Sequence, residues 1–218
     1  MQSILDFVHR LGDPSALVAW GGYVGLTLII FAETGLLVGF FLPGDSLLVT
    51  AGLLASQPER FSLNVYVLGL LLSIASILGN SVGYYVGKYT GPRLFTRDDS
   101  LLFNKKHLHR ARAFYEHHGG KTIILARFMP IVRTFVPVVA GMAQMEYRRY
   151  TLYNVVGGLA WIWSMLFVGY FLGHYIPGIG DHIEVVILAV IFLSILPAII
   201  GWLRVRGRSA NRQAVSDV

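Results

Sequence analysis

Residues 127–141 read R-F-M-P-I-V-R-T-F-V-P-V-V-A-G. Arg127 and Arg133 stand among apolar residues, and Pro130 and Pro137 interrupt the run. Each proline removes a backbone donor, so the carbonyls of Ala126 and Arg133 lose their helical partners. A segment this apolar belongs in lipid, where broken backbone survives only under cover of protein or beside a water-filled cavity. Arginine in the hydrocarbon zone is costly and marks a site. The stretch predicts a broken, re-entrant hairpin over 122–145 that carries two fixed positive charges.

The surrounding chain supports this reading. Of 218 residues, 55% are hydrophobic and 14% charged, which is the composition of a polytopic membrane protein. There is no cysteine, so disulfides and cysteine metal sites are excluded. No cleavable signal is expected, because Asp6, Arg10 and Asp13 fall where a signal would be basic and then apolar. Residues 1–14 predict a short amphipathic surface helix or a frayed terminus. One membrane domain is expected over 15–203, followed by a basic tail over 204–218.

Spans are expected over 15–33, 61–90, 150–174 and 185–203, each near the roughly 20 residues a crossing needs. Between the first two lie apolar runs on either side of Pro43-Gly44-Asp45, each too short to cross a core about 30 Å thick. They predict a second hairpin over 36–55, with its tip at Pro43 and Gly44. Residues 79, 83, 87 and 91 are glycines at helix-face spacing. Gly79, Gly83 and Gly87, with Asn80 beside them, make a close-packing face. The stripe reads first as an internal contact and second as a homodimer interface.

Lysine and arginine place the loops. Residues 88–121 hold eight of them against three carboxylates, and Arg204, Arg206, Arg208 and Arg212 follow the last span. Both regions, and both termini, are expected in the cytoplasm. Residues 57–60 and 175–184 then lie outside, and the two hairpins enter from opposite faces. A faint echo between T-A-G-L-L-A (50–55) and V-A-G-M-A-Q (139–144) agrees with an inverted repeat. The fold class expected is therefore an all-α polytopic membrane protein, with two opposing re-entrant hairpins and long transmembrane helices. An interfacial helix is expected over 101–117. The histidines around it match no metal-binding spacing, and a solvated basic face is the simpler reading.

The first hairpin region contributes two carboxylates, Glu33 and Asp45, and the second contributes two guanidinium groups. Alone, each is costly in lipid; together they pair. Simpler readings exist: Asp45 as a helix N-cap, Glu33 as a helix end at the outer interface, Arg127 snorkelling toward headgroups. A break at Pro130 would let Arg127 and Arg133 converge on one anion, and paired guanidinium groups suit phosphate. A buried carboxylate can also carry a proton.

With F-x-E-x-G at Glu33, P-G-D at 43–45, G-N-x-x-G-Y-x-x-G from Gly79 to Gly87, and R-F-x-P-x-x-R with P-x-x-A-G from Arg127 to Gly141, the chain resembles the DedA family. These are bacterial inner-membrane proteins related to VTT-domain lipid scramblases. The resemblance covers roughly 15–175. It implies paired opposing hairpins, and activity that needs the acidic pair Glu33 and Asp45 and the basic pair Arg127 and Arg133. It also implies a role in membrane homeostasis, and for some members return of undecaprenyl phosphate across the inner membrane. The expected function is transport of that lipid or another anionic lipid, with protons as a coupling ion. The rival is proton-dependent transport of small ions or cationic compounds. No enzyme chemistry, cofactor, metal or nucleic acid is expected, since no phosphatase motif accompanies His174 or His182.

Overall fold

A computed structural model describes residues 14–36, 44–59, 61–94 and 120–176. The expected N-terminal segment over 1–14 (Pro14 excepted), the tip residue Pro43, the 101–117 helix, the 185–203 span and the 204–218 tail lie outside the described residues. Every regular element described is helical: α1 (Pro14–Gly35), α2 (Gly44–Ala55), α3 (Val65–Leu94), α4 (Lys121–Ala126), α5 (Pro130–Met142) and α6 (Tyr147–Tyr175). Among them, α3 over Val65–Gly91 and all of α6 are long and apolar enough to cross a membrane.

α3 and α6 run antiparallel. Tyr150 hydrogen-bonds to Asn80, Asn154 to Ile77, and Trp163 packs on Gly69. The shorter helices lie along this pair. α2 follows α6 in the same direction, with Asp45 at Trp161, Val49 at Gly169 and Ser56 at Gly173. α5 follows α3, with Pro137 at Gly83, Val138 at Gly87 and Met142 at Gly91. The glycine stripe on α3 therefore packs inside the chain. A Cβ on Gly87 would stand 2.0 Å from the Val138 carbonyl oxygen, and one on Gly169 would stand 1.9 Å from that of Val49. Contacts this close need glycine on one side.

The expected first span over 15–33 differs from what forms. Gly22 adopts φ 50°, a left-handed conformation that glycine tolerates, and breaks α1 there. Beyond the break α1 runs parallel to α3, from Tyr23, which contacts Ser62 and Asn64, to Gly35, which packs on Gly79. This second half of α1, rather than a run starting at residue 36, is the partner of α2.

The prolines also behave differently from one another. Pro130 opens α5 as its first residue, where its missing donor costs nothing, after a break at Arg127–Met129. Pro137 was expected to break the chain, yet it lies inside an uninterrupted α5. There it forfeits only the bond to the Arg133 carbonyl, and its ring packs against α3 at Gly83.

The α1/α2 turn-over meets α3 at Gly79 and α6 at Trp161. The α4/α5 break meets Ser76 on α3 and Gly157 and Gly158 on α6. All of these lie near mid-length of the two long helices. The apolar core sits on one side of this level, around Leu47, Leu53, Leu68, Leu72, Ile162 and Leu166. A second cluster lies on the other side, where Tyr84 stacks on Tyr150 at 4.6 Å and its hydroxyl donates to the Met145 carbonyl.

Candidate functional site: a buried ion cluster at mid-helix

All four charged residues singled out in the sequence lie at this level. Glu33 is 1% exposed, Arg127 3% and Arg133 7%, while the Asp45 side chain is 12% exposed. Burial this complete makes partners obligatory.

Arg133 takes both carboxylates. Its Nη1 donates to Asp45 Oδ1 at 2.5 Å, and its Nη2 donates to Glu33 Oε1. The planar fork thus joins α5 to α1 and α2 at once. Glu33 can reach Arg133 because residue 44 is glycine: a Cβ there would stand 1.7 Å from Glu33 Oε2. Among the described residues that oxygen has no hydrogen-bond partner, and neither has Arg133 Nε. Asp45 is the second residue of α2 rather than its N-cap, and Glu33 is inside rather than at an interface.

Arg127 is held quite differently. Its Nη1 donates to Ser76 Oγ at 2.6 Å, and its Nη2 donates to the Asn154 carbonyl at 3.2 Å and to Asn154 Oδ1. Oriented by its neighbours, the Asn80 amide donates to the Thr34 carbonyl at 2.9 Å and accepts from Arg127 Nη2. Among the described residues no carboxylate pairs with Arg127. Its aliphatic stem lies on Gly157 and its guanidinium on Gly158, so it does not snorkel to a surface. The two arginines do line one cavity with Asn80, Pro137 and Tyr150, but among the described residues they share no partner. At about 10 Å³ that cavity has room for a water and not for a phosphate.

Three residues went unread as site members: Ser76, Asn154 and Trp161. A signal for two of them exists. Asn154-x-x-Gly157 on α6 repeats Asn80-x-x-Gly83 on α3, and Trp161 falls seven residues after Asn154, as Gly87 does after Asn80. Trp161 Nε1 donates to Asp45 Oδ1 at 2.9 Å, and the Arg133 guanidinium carbon lies 4.5 Å from the indole centroid. Among the described residues no cluster of metal-ligating side chains occurs.

Comparison with known proteins agrees with this architecture. The VTT domain model matches residues 42–171. The chain is 49% identical over 215 residues to Protein DedA of Escherichia coli strain K12, covering 97% of each. It is 42% identical over 220 residues to an uncharacterized membrane protein of Mycobacterium tuberculosis strain H37Rv, covering 100% of this chain and 94% of that one. It is 36% identical over 174 residues to the inner membrane protein YqjA of Escherichia coli strain K12, covering 77% and 74%. No solved structure matches. With every described element helical, two of them long and apolar, a VTT domain across most of its described length and near-full-length identity to DedA, the chain belongs to the DedA family of membrane proteins.

Proposed function

We propose that this protein carries an anionic lipid across the bacterial inner membrane for envelope biogenesis, with undecaprenyl phosphate as its preferred cargo. The observation that carries the reading is the Arg133 fork, shared between Glu33 and Asp45 at the level where the two helix pairs meet. A site near mid-membrane at a repeat interface is the arrangement of many secondary transporters. In this reading α1/α2 and α4/α5 are re-entrant hairpins entering from opposite faces, with both termini cytoplasmic. A fork that grips two carboxylates grips a phosphate by the same geometry. The cavity beside the two arginines is too small for the headgroup, and both terminal nitrogens of Arg133 hold carboxylates, so loading requires the carboxylates to leave Arg133. A proton arriving at Glu33, whose Oε2 is unpartnered among the described residues, loosens that grip and couples loading to proton entry. The lipid tail stays in the bilayer.

The rival reading, proton-dependent transport of small ions or cationic compounds, draws on the same carboxylates as carriers. Transport in liposomes of undecaprenyl phosphate, phosphatidylglycerol and small cations separates the two. Binding to purified variants sharpens the result. Arg133→Lys keeps the charge but loses the fork, so it weakens lipid monophosphate binding, while Asp45→Asn spares binding and slows release. The reverse ranking favours the small-ion reading. Equal affinity for undecaprenyl phosphate and phosphatidylglycerol replaces the specific carrier with a general anionic-lipid scramblase.

A further inference from the structure

Trp161 touches both signs of the ion cluster. Its ring faces the Arg133 guanidinium, and its N–H donates to Asp45. The side chain is fully buried. It has little slack, because α6 and α2 approach to backbone contact at Gly52 and Gly169. The two contacts differ in kind. An indole face attracts a desolvated guanidinium through its ring quadrupole, a partner that no proton removes. The indole N–H is a donor only; it shares Asp45 Oδ1 with Arg133 Nη1, so Asp45 keeps one partner when Arg133 lets go.

We propose that Trp161 is the positioning residue for exchange at Arg133. Its ring keeps the guanidinium in place, and its N–H leaves Asp45 with a partner, while the carboxylates give way to an incoming phosphate group. The proposal rests on the reading of Arg133 as the headgroup-binding residue and names the group that stops it from swinging away once unpaired. Arg127 needs no such guard, since its acceptors on Ser76 and Asn154 are neutral and stay put.

The test uses the purified full chain with Trp161→Phe and Trp161→Leu, each alone and combined with Asp45→Asn. The first readout, thermal unfolding in detergent, needs no lipid. Trp161→Phe removes the bond to Asp45 outright, and Asp45→Asn reduces it from a charge-assisted bond to a neutral one, so their effects are expected to be less than additive. Strict additivity overturns the proposal. The second readout is binding and transport of a lipid monophosphate. Trp161→Phe keeps a ring over Arg133, so affinity is expected to hold within about twofold while the rate at saturating lipid falls about tenfold. Trp161→Leu loses the ring, and affinity is expected to fall about tenfold. If Trp161→Phe matches the wild type in both affinity and rate, the indole only fills space and the proposal fails. Should Trp161→Leu not fold, the phenylalanine variant and the unfolding cycle decide. A wild-type protein that binds no phosphate lipid sinks the headgroup reading and the exchange with it. Lost coupling in a protein that does bind sinks Trp161's part alone.

Discussion

Replacing Arg133 by alanine leaves the buried Glu33 and the largely buried Asp45 without their shared cation. Removing one partner of a buried pair costs about 3–5 kcal/mol, so Arg133→Ala is expected to lower the unfolding temperature in detergent severely. Adding Glu33→Gln removes one of the stranded charges, and the double variant is expected to be more stable than the sum of the single losses predicts. Arg127→Ala strands only neutral acceptors, at about 1–3 kcal/mol for each one left unsatisfied. Chemical unfolding of the two alanine variants checks the contrast. The meeting of opposite charges was legible in the sequence: four ionised groups in an apolar chain have to find one another. Their sorting was not. Arg127 and Arg133 stand six positions apart, and a break between them frees each to turn its own way. Ser76 and Asn154, small and polar on long apolar helices, look like ordinary packing residues until Arg127 lies on them.

At the scale of the element, glycine decides how closely helices approach. Gly169→Ala would drive a Cβ into the Val49 carbonyl and is expected to cost about 1–3 kcal/mol as α2 is pushed from α6. Gly25, inside α1, meets nothing within 4 Å. Gly25→Ala is expected to be neutral, or to stabilise by about 0.4–1 kcal/mol through the unfolded chain. Unfolding both variants side by side separates contact from chain entropy. The stripe from Gly79 to Gly91 was readable because its spacing of four marks one helix face. The break at Gly22 was not, because a left-handed glycine carries the same letter as a helical one. Pro137 misled for the opposite reason: a proline announces a lost hydrogen bond, while the packing against Gly83 that offsets it comes from a distant part of the chain.

For the whole molecule, the expected topology places Gln57 outside and Lys88 inside. The chain has no cysteine, so single cysteines at these positions report directly. An impermeant thiol reagent is expected to label position 57 only from the periplasmic face and position 88 only from the cytoplasmic face. Labelling in the reverse sense would turn both hairpins over. The two long helices were visible in hydropathy alone. The register of the short helices along them was not, since it depends on which glycine meets which carbonyl.

The level at which the short helices turn, near the middle of α3 and α6, also fixes the electrical depth of the ion cluster. In the proposed carrier, a charge arriving there from either face has crossed about half of the membrane potential. The full crossing is worth about 2.3 kcal/mol per elementary charge at 100 mV, so reaching Glu33 accounts for roughly half of that. An interior-negative potential draws a proton inward to the site and resists an inward-moving phosphate by the same amount per charge. Inward carriage of a headgroup is therefore driven by voltage only if more positive charge enters with it than the headgroup removes. Initial rates in proteoliposomes clamped at 0 and −100 mV would read that balance directly.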